Sequence, residues 1–253
     1  MRKVLYTIVT SIFVGTASSL QNLFPNSSSA RPRALPSTNK LEDELLETIN
    51  ELGDNRLANS EKIKDLVLEL ESISSIDRPA IAPEVYGRWR LLHTDNANTA
   101  SPIQRKAVDS SAFPIYQDIT LNSKNQLVVS QVVKFSDSAE LKVDALASSS
   151  AYPLPELTDR KGDGKILGLN ILGVSLVGEE AKENEERPDA RISFVFDEGN
   201  FELGSGFTVP YPVPFRLPLI RDAVKGWIDI TYMSDRLRIS RGNKGTTFVL
   251  IKE

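Results

Sequence analysis

A chain of 253 residues that is 40% hydrophobic but only 7% aromatic can bury one substantial core, and its length does not ask for two large globular domains. It has no cysteine and a single histidine, His93, which excludes disulfides, thiolate metal sites, cysteine nucleophiles and any multi-histidine metal centre. The formal net charge is −4, yet residues 1–41 carry Arg2, Lys3, Arg31, Arg33 and Lys40 with no acid, so the rest of the chain holds −9. A domain that acidic is a poor partner for nucleic acid or an anionic membrane surface. It is better suited to staying soluble around a neutral, apolar ligand.

Met1-Arg2-Lys3 followed by Val4 to Val14 has the basic start and short apolar run of a secretory signal, and it is too short to span a membrane. Gly15 to Ser19 supplies small residues for cleavage, and Leu20 to Lys40 is rich in Ser and Pro, basic and free of acids, as a transit peptide is. Signal followed by transit resembles the bipartite address of algal plastids that lie inside extra membranes. Leu20 stands at the cleavage point and the aromatic Phe24 comes later, which leaves the cut itself open.

Leu41, Leu45, Leu46, Ile49 and Leu52 fall at helical spacing before Gly53, and this predicts a first helix. Ser60-Glu61 opens a second, whose apolar stripe is Ile63, Leu66, Val67, Leu70 and Ile73 with Lys62, Lys64, Glu69 and Glu71 facing water. Each stripe is expected to pack on the chain's own barrel. Asp77 to Pro83 reads as a linker because its prolines forbid a continuing helix.

Strands are predicted at Gly87–Thr94, Pro114–Thr120, Gln126–Phe135 and Ala139–Ala147, with turns at 122–125 and 136–138. Between the first two, 95–113 is a long connection with a short helix near 103–108. Leu127, Val129, Val133 and Phe135 share a face that Gln131 alone interrupts, and Gln131 is either a ligand anchor or a rim position. Lys165 to Gly178 is apolar with interspersed glycines, which suits bends in a curved barrel better than a phosphate cradle, and Glu179 to Asp189 reads as a solvated loop. Arg191–Asp197 and Asn200–Phe207 are expected to form a hairpin over Glu198-Gly199, with Phe194 and Phe196 as aromatic bulk.

Val209 to Ile220 contains four prolines among Tyr211, Val213, Phe215, Leu217, Leu219 and Ile220. Such a segment follows an extended path and either packs on the barrel or presents Tyr211, Val213 and Phe215 to something greasy. From Trp227 the chain then makes three strands. Ile228, Ile230 and Tyr232 are expected on one face, with Trp227, Asp229, Thr231 and Met233 on the other. Ser234-Asp235 turns the chain, and Leu237 and Ile239 alternate with Arg236, Arg238 and Ser240. Gly242 to Gly245 turns it again into Thr246–Ile251. A chain ending on this strand leaves an open edge unless the last strand pairs with the first, and a barrel achieves that.

Gly87-x-Trp89 opening the first strand, with arginines on a late one, resembles the closed end of lipocalin-like barrels, where a guanidinium covers the indole. Gly226-Trp227, Thr231-Tyr232, Asp235, Leu237-Arg238-Ile239, Arg241-Gly242 and Phe248-Val249-Leu250 resemble the signature of the plastid lipid-associated protein family, the fibrillins. The resemblance runs from Leu41 to Ile251 and is strongest at its two ends. The expected fold is mainly β, a lipocalin-like antiparallel barrel (83–253) preceded by a helix pair (41–78) and a removed targeting sequence (1–40). The resemblance implies a non-catalytic plastid protein that binds lipids or isoprenoids such as carotenoids, prenylquinones and fatty acids. It also implies peripheral contact with plastoglobules or thylakoids, without a transmembrane segment, nucleic acid or cofactor. Barrel-end and ligand-binding residues are then Trp89, Asp235, Arg238, Arg241, Gln131, Phe194 and Phe196. Asp235 is expected to hold the turn, and Arg238 or Arg241 to cover Trp89.

Two other readings stay open. One is a structural coat of plastid lipid bodies whose barrel is filled by its own side chains. The other is an enzyme on a calycin-like barrel that uses His93 beside Asp95. No Gly-x-Ser-x-Gly elbow supports the second, and Gly204-Ser205-Gly206 is too short to replace one.

Overall fold

The computed structural model describes residues 38–53, 55–74, 76–95, 113–154, 188–212, 215–217, 224–242 and 245–253. The targeting sequence through residue 37, the short helix at 103–108, the glycine-bearing stretch 165–178, most of the acidic run after it and Val213 lie outside the described residues.

Helix α1 spans Thr38–Glu51 and α2 spans Glu61–Ser72, each placed by its predicted apolar stripe. Ser60 caps α2 by accepting a hydrogen bond from the Ile63 amide, which satisfies one orphan donor of the first turn. Nine strands follow: β1 Gly87–Thr94, β2 Ile115–Leu121, β3 Leu127–Ser136, β4 Ala139–Ser148, β5 Arg191–Leu203, β6 Phe207–Pro210, β7 Lys225–Met233, β8 Leu237–Gly242 and β9 Thr247–Lys252. They hydrogen-bond in the order β4-β3-β2-β1-β9-β8-β7-β5-β6, and β4 also pairs with β5. That extra pairing closes a ring of antiparallel strands and leaves β6 as a branch. The expected pairing of the last strand with the first is present, with Leu91 opposite Leu250.

The β5 strand is one element of 13 residues, not the hairpin expected over Glu198-Gly199. A bulge at Asp197 lets the chain stay extended there, because Asp144 pairs with Glu198 and Ala145 with Phe196. The reversal comes later, at Gly204–Gly206, where Ser205 and Gly206 take positive φ. The long strand serves two partners in turn: Arg191–Val195 pairs with β7 and Asn200–Leu203 with β6.

Two apolar clusters result. One fills the barrel around Trp89, Ile119, Leu127, Val129, Ile192, Ile228 and Ile230. The other joins Leu41, Leu45, Ile63, Val67 and Leu70 of the helices to Tyr232, Leu237, Ile239 and Val249 on the outside of β7 to β9. The helix pair therefore covers one outer wall. Each fully buried Leu or Ile in that seam contributes about 1.5–3 kcal/mol.

Bulges also change which residues face inward in the meander. A register shift between Ile230 and Tyr232 sends Tyr232 out under the helices and Met233 into the barrel, the reverse of strict alternation. Another, between Leu91 and His93, sets His93 opposite Val249, a member of the helix-packed cluster.

Candidate functional site

The barrel interior differs between its two ends. At the end where β1 begins, Trp89 is fully buried and its indole Nε1 donates to the Val85 carbonyl at 2.8 Å. Val85 belongs to a short 3-10 turn, Pro83–Val85, that crosses just before β1. The Arg238 guanidinium lies 4.8 Å from the centre of the indole ring, a cation–π contact. The same ring has Lys252 Nζ at 5.1 Å, and that amine also donates to the Glu84 carbonyl at 2.6 Å. Of the two arginines that sequence offered as the cover of Trp89, Arg238 takes the role.

Arg241 faces the other way. Its guanidinium grips Glu71 of α2 through Nε and Nη2 at 2.9 and 2.8 Å, and Thr231 Oγ1 donates to the same carboxylate at 2.6 Å. Glu71, expected to face water, thus bolts α2 to the barrel wall. Glu42 does the same for α1: buried to 1% exposure, it accepts from the Tyr232 hydroxyl at 2.6 Å and pairs with Arg236. Sequence reading missed Glu42 altogether, since an acid within a helix reads as solvated face until its partner is known. Burial, then the Glu42 bond, push the Tyr232 hydroxyl well above the ordinary tyrosine range.

Asp235 is exposed, and the side chain that organises the turn after β7 is Ser234. Its Oγ accepts from the amides of Arg236 and Leu237 at 3.2 and 3.0 Å.

Inside the barrel Arg238 is 0% exposed. Its Nη2 donates to Gln117 Oε1, while Nε and Nη1 have no hydrogen-bond partner. Burial alone pulls its pKa down, to about 9, so it remains a cation at neutral pH without an anion to offset it. Gln117 stands opposite Trp89 on one side and Gln131 on the other, and Gln131 stands opposite Val143. Since cross-strand partners share a face, Gln131 looks into the barrel, half-buried. Ser240, opposite Ile230 and Phe248, adds a buried hydroxyl with no partner.

Toward the other end the interior turns aromatic. Phe113, Phe135, Phe201, Tyr211, Phe215, Phe196 and Phe194 form a row with neighbouring ring centres 5.2 to 6.5 Å apart. Phe194 lies so close to Gly226 that a Cβ there would come within 2.4 Å of its ring, so β7 carries glycine because the ring occupies the space. Tyr211 and Phe215 are buried at 8% and 4% exposure within this row, so of the two courses open to this segment they pack on the barrel. What stays exposed is Leu203, Phe207, Val209 and Leu217. Leu203 pairs with Phe207, and Phe201 with Val209, so the exposed hairpin tip shares its apolar face with the row.

Among the described residues no group of His, Asp and Glu could hold a metal ion, and no helix is long and apolar enough to cross a membrane. His93 is buried on the helix-covered wall, where burial lowers its pKa against a weaker opposing pull from Asp95.

Residues 39–156 and 179–251 match the PAP_fibrillin family. The chain belongs to the PAP_fibrillin family. It is 41% identical over 195 residues to the probable plastid-lipid-associated protein 12, chloroplastic, of Arabidopsis thaliana, an overlap of 76% of this chain and 38% of that one. It is 26% identical over 201 residues to the chromoplast-specific carotenoid-associated protein of Cucumis sativus, covering 76% and 60%. Against the chloroplastic light-induced protein of Solanum tuberosum the identity is 24% over 206 residues, again 76% and 60%. This fibrillin chain therefore spans less than two thirds of the length of these relatives. No solved structure matches it.

Proposed function

We propose that this fibrillin is a non-catalytic plastid protein whose barrel holds one apolar ligand of the lipid or isoprenoid class. The ligand is taken up at the surface of plastoglobules or thylakoids, and the bipartite leader at residues 1–40 is the address of a complex plastid. The observation that carries the reading is the state of the inward-facing aromatics. Phe194, Phe196 and Phe201 occupy interior register positions, with Phe135 stacked on Phe201, yet all four remain only half-buried. A barrel filled by its own side chains would bury them as fully as it buries Trp89, Ile119 and Ile192. On this reading the ligand lies at the aromatic end, bounded below by the packed Trp89 end. Covering about 300 Å² of ligand at ~25 cal/mol per Å² supplies ~7 kcal/mol before association costs. The carotenoid-associated and plastid-lipid-associated names of the relatives agree with such a cargo.

The test is native mass spectrometry of the full chain after incubation with a pigment and lipid extract from photosynthetic cells, read beside tryptophan emission. Trp227 lies on the outer wall under Arg191, 3.8 Å from its ring centre, so Trp227→Phe leaves Trp89 as the interior reporter. One bound carotenoid, quinone or fatty acid with a shifted Trp89 emission is expected. A chain that floats with lipid bodies but carries no ligand overturns the reading in favour of a surface coat.

A further inference from the structure

Arg238 is the feature of the barrel that structural needs do not explain. A guanidinium can cover an indole while its donors meet backbone carbonyls or a carboxylate, yet here two donor nitrogens in a fully buried site meet nothing. Unpaired buried cations are costly. The outer wall meets the same need in full: Arg191 pairs with Asp229 at 2.7 and 2.8 Å and Arg241 with Glu71 at 2.9 and 2.8 Å. The one acceptor that Arg238 has is neutral, the amide oxygen of Gln117. Gln117 is followed, one strand over, by Gln131, which is half-buried and so reaches the accessible part of the interior.

We propose that Arg238 is the head-group anchor for a carboxylate-bearing lipid, and that Gln117 occupies the anion's place in the empty barrel. This rests on the ligand-holding reading above and narrows its ligand class from lipids in general to long-chain acids. The acyl chain lies along the aromatic row, and its carboxylate displaces the Gln117 amide oxygen and accepts from Nη2 and the unpartnered Nε of Arg238, the fork by which Arg191 and Arg241 hold their acids on the outer wall. Ser240, buried in the same interior with a free hydroxyl, is a further donor to the head group. No proton or bond changes hands; the gain is a charge-assisted pair in a site that excludes water.

The deciding measurement is calorimetric titration of the full chain with hexadecanoate and with its methyl ester, which share a tail and differ in charge. The acid is expected to bind about 10- to 100-fold more tightly than the ester. Arg238→Met is expected to bring the acid down to the level of the ester. Gln117→Glu supplies a built-in carboxylate to Arg238 and is expected to erase the acid preference equally, with every other interior contact kept, so it decides the matter should Arg238→Met fold poorly. Equal affinity of acid and ester in the wild type, or an acid preference that survives Gln117→Glu, overturns the anchor while leaving the apolar-cargo reading intact. Failure of both probes, and of β-carotene, to bind overturns that reading and the anchor with it.

Discussion

On its outer face the β7–β9 meander matches its arginines to acids: Arg236 to Glu42 and Asp43, Arg241 to Glu71, and the neighbouring Arg191 of β5 to Asp229. On its inner face Arg238, three residues before Arg241 on the same strand, has one neutral acceptor and two empty donors. Their titration differs accordingly. Hydrogen bonds donated to Glu71 raise Arg241 against the opposing effect of burial, and burial alone lowers Arg238. The outer pairs fix where the helices sit and so serve the fold. The inner cation has no such acid beside it, and the head-group proposal supplies one.

The largest effect should come from breaking the outer face at Glu42. Glu42→Ala strands the buried Tyr232 hydroxyl and takes one of two acids from Arg236, which keeps Asp43 and is itself 38% exposed. The expected loss is about 3 kcal/mol, read as a lower urea midpoint at unchanged slope. Glu42→Gln, which keeps an acceptor for Tyr232, should lose less. A loss below about 1 kcal/mol for Glu42→Ala would mean that α1 is held by its leucines alone.

An intermediate effect sharpens the contrast between the two arginines of β8. Arg241→Met leaves Glu71 half-buried without its fork and is expected to cost about 1–2 kcal/mol. Arg238→Met removes two unsatisfied donors and a desolvated charge, and gives up a cation–π contact of about 1–2 kcal/mol. Its stability should equal or exceed that of the wild type. Thermal melts of the two ligand-free variants side by side are sufficient. Arg238→Met destabilising as much as Arg241→Met would make the inner arginine a structural plug.

Much of this arrangement was legible in the sequence. Period-two alternation located β1 residue for residue and most of the other strands within a residue or two, and the helical stripes located α1 and α2. Gly87-x-Trp89 with Arg238 located the packed barrel end. What stayed illegible has two physical sources. A bulge inserts one residue and inverts every face after it, and alternation carries no mark of the insertion, so Tyr232 and Met233 were read on the wrong sides and β5 was cut in two. The second source is the helical cover. Leu237 and Ile239 read as the core face of a strand whose other face is cationic, and in the fold those leucine and isoleucine side chains point outward under α1 and α2 while Arg238 points in. An apolar face can be buried against a helix as well as inside a barrel, and a single strand does not say which. The same cover hides Glu42 and Glu71, whose partners lie 160 to 194 residues away.

The smallest expected effect tests the face to which the bulge in β1 assigns His93. Burial lowers its pKa below the ordinary 6.5, with Asp95 opposing more weakly. The unfolded chain therefore takes up a proton at His93 before the folded one does. Stability tied to His93 is complete above pH 6.5 and falls as the pH drops below it, by no more than about 1.4 kcal/mol per pH unit. Urea midpoints at pH 7.5 and 5.5 for the wild type and for His93→Asn measure it: the wild type should lose more on acidification, and the difference between the two proteins is the histidine's share. Because the register sets His93 opposite Val249 under the helices, saturating the barrel with a lipid ligand should leave that share unchanged. A ligand that abolishes it would place the imidazole in the interior beside Arg238.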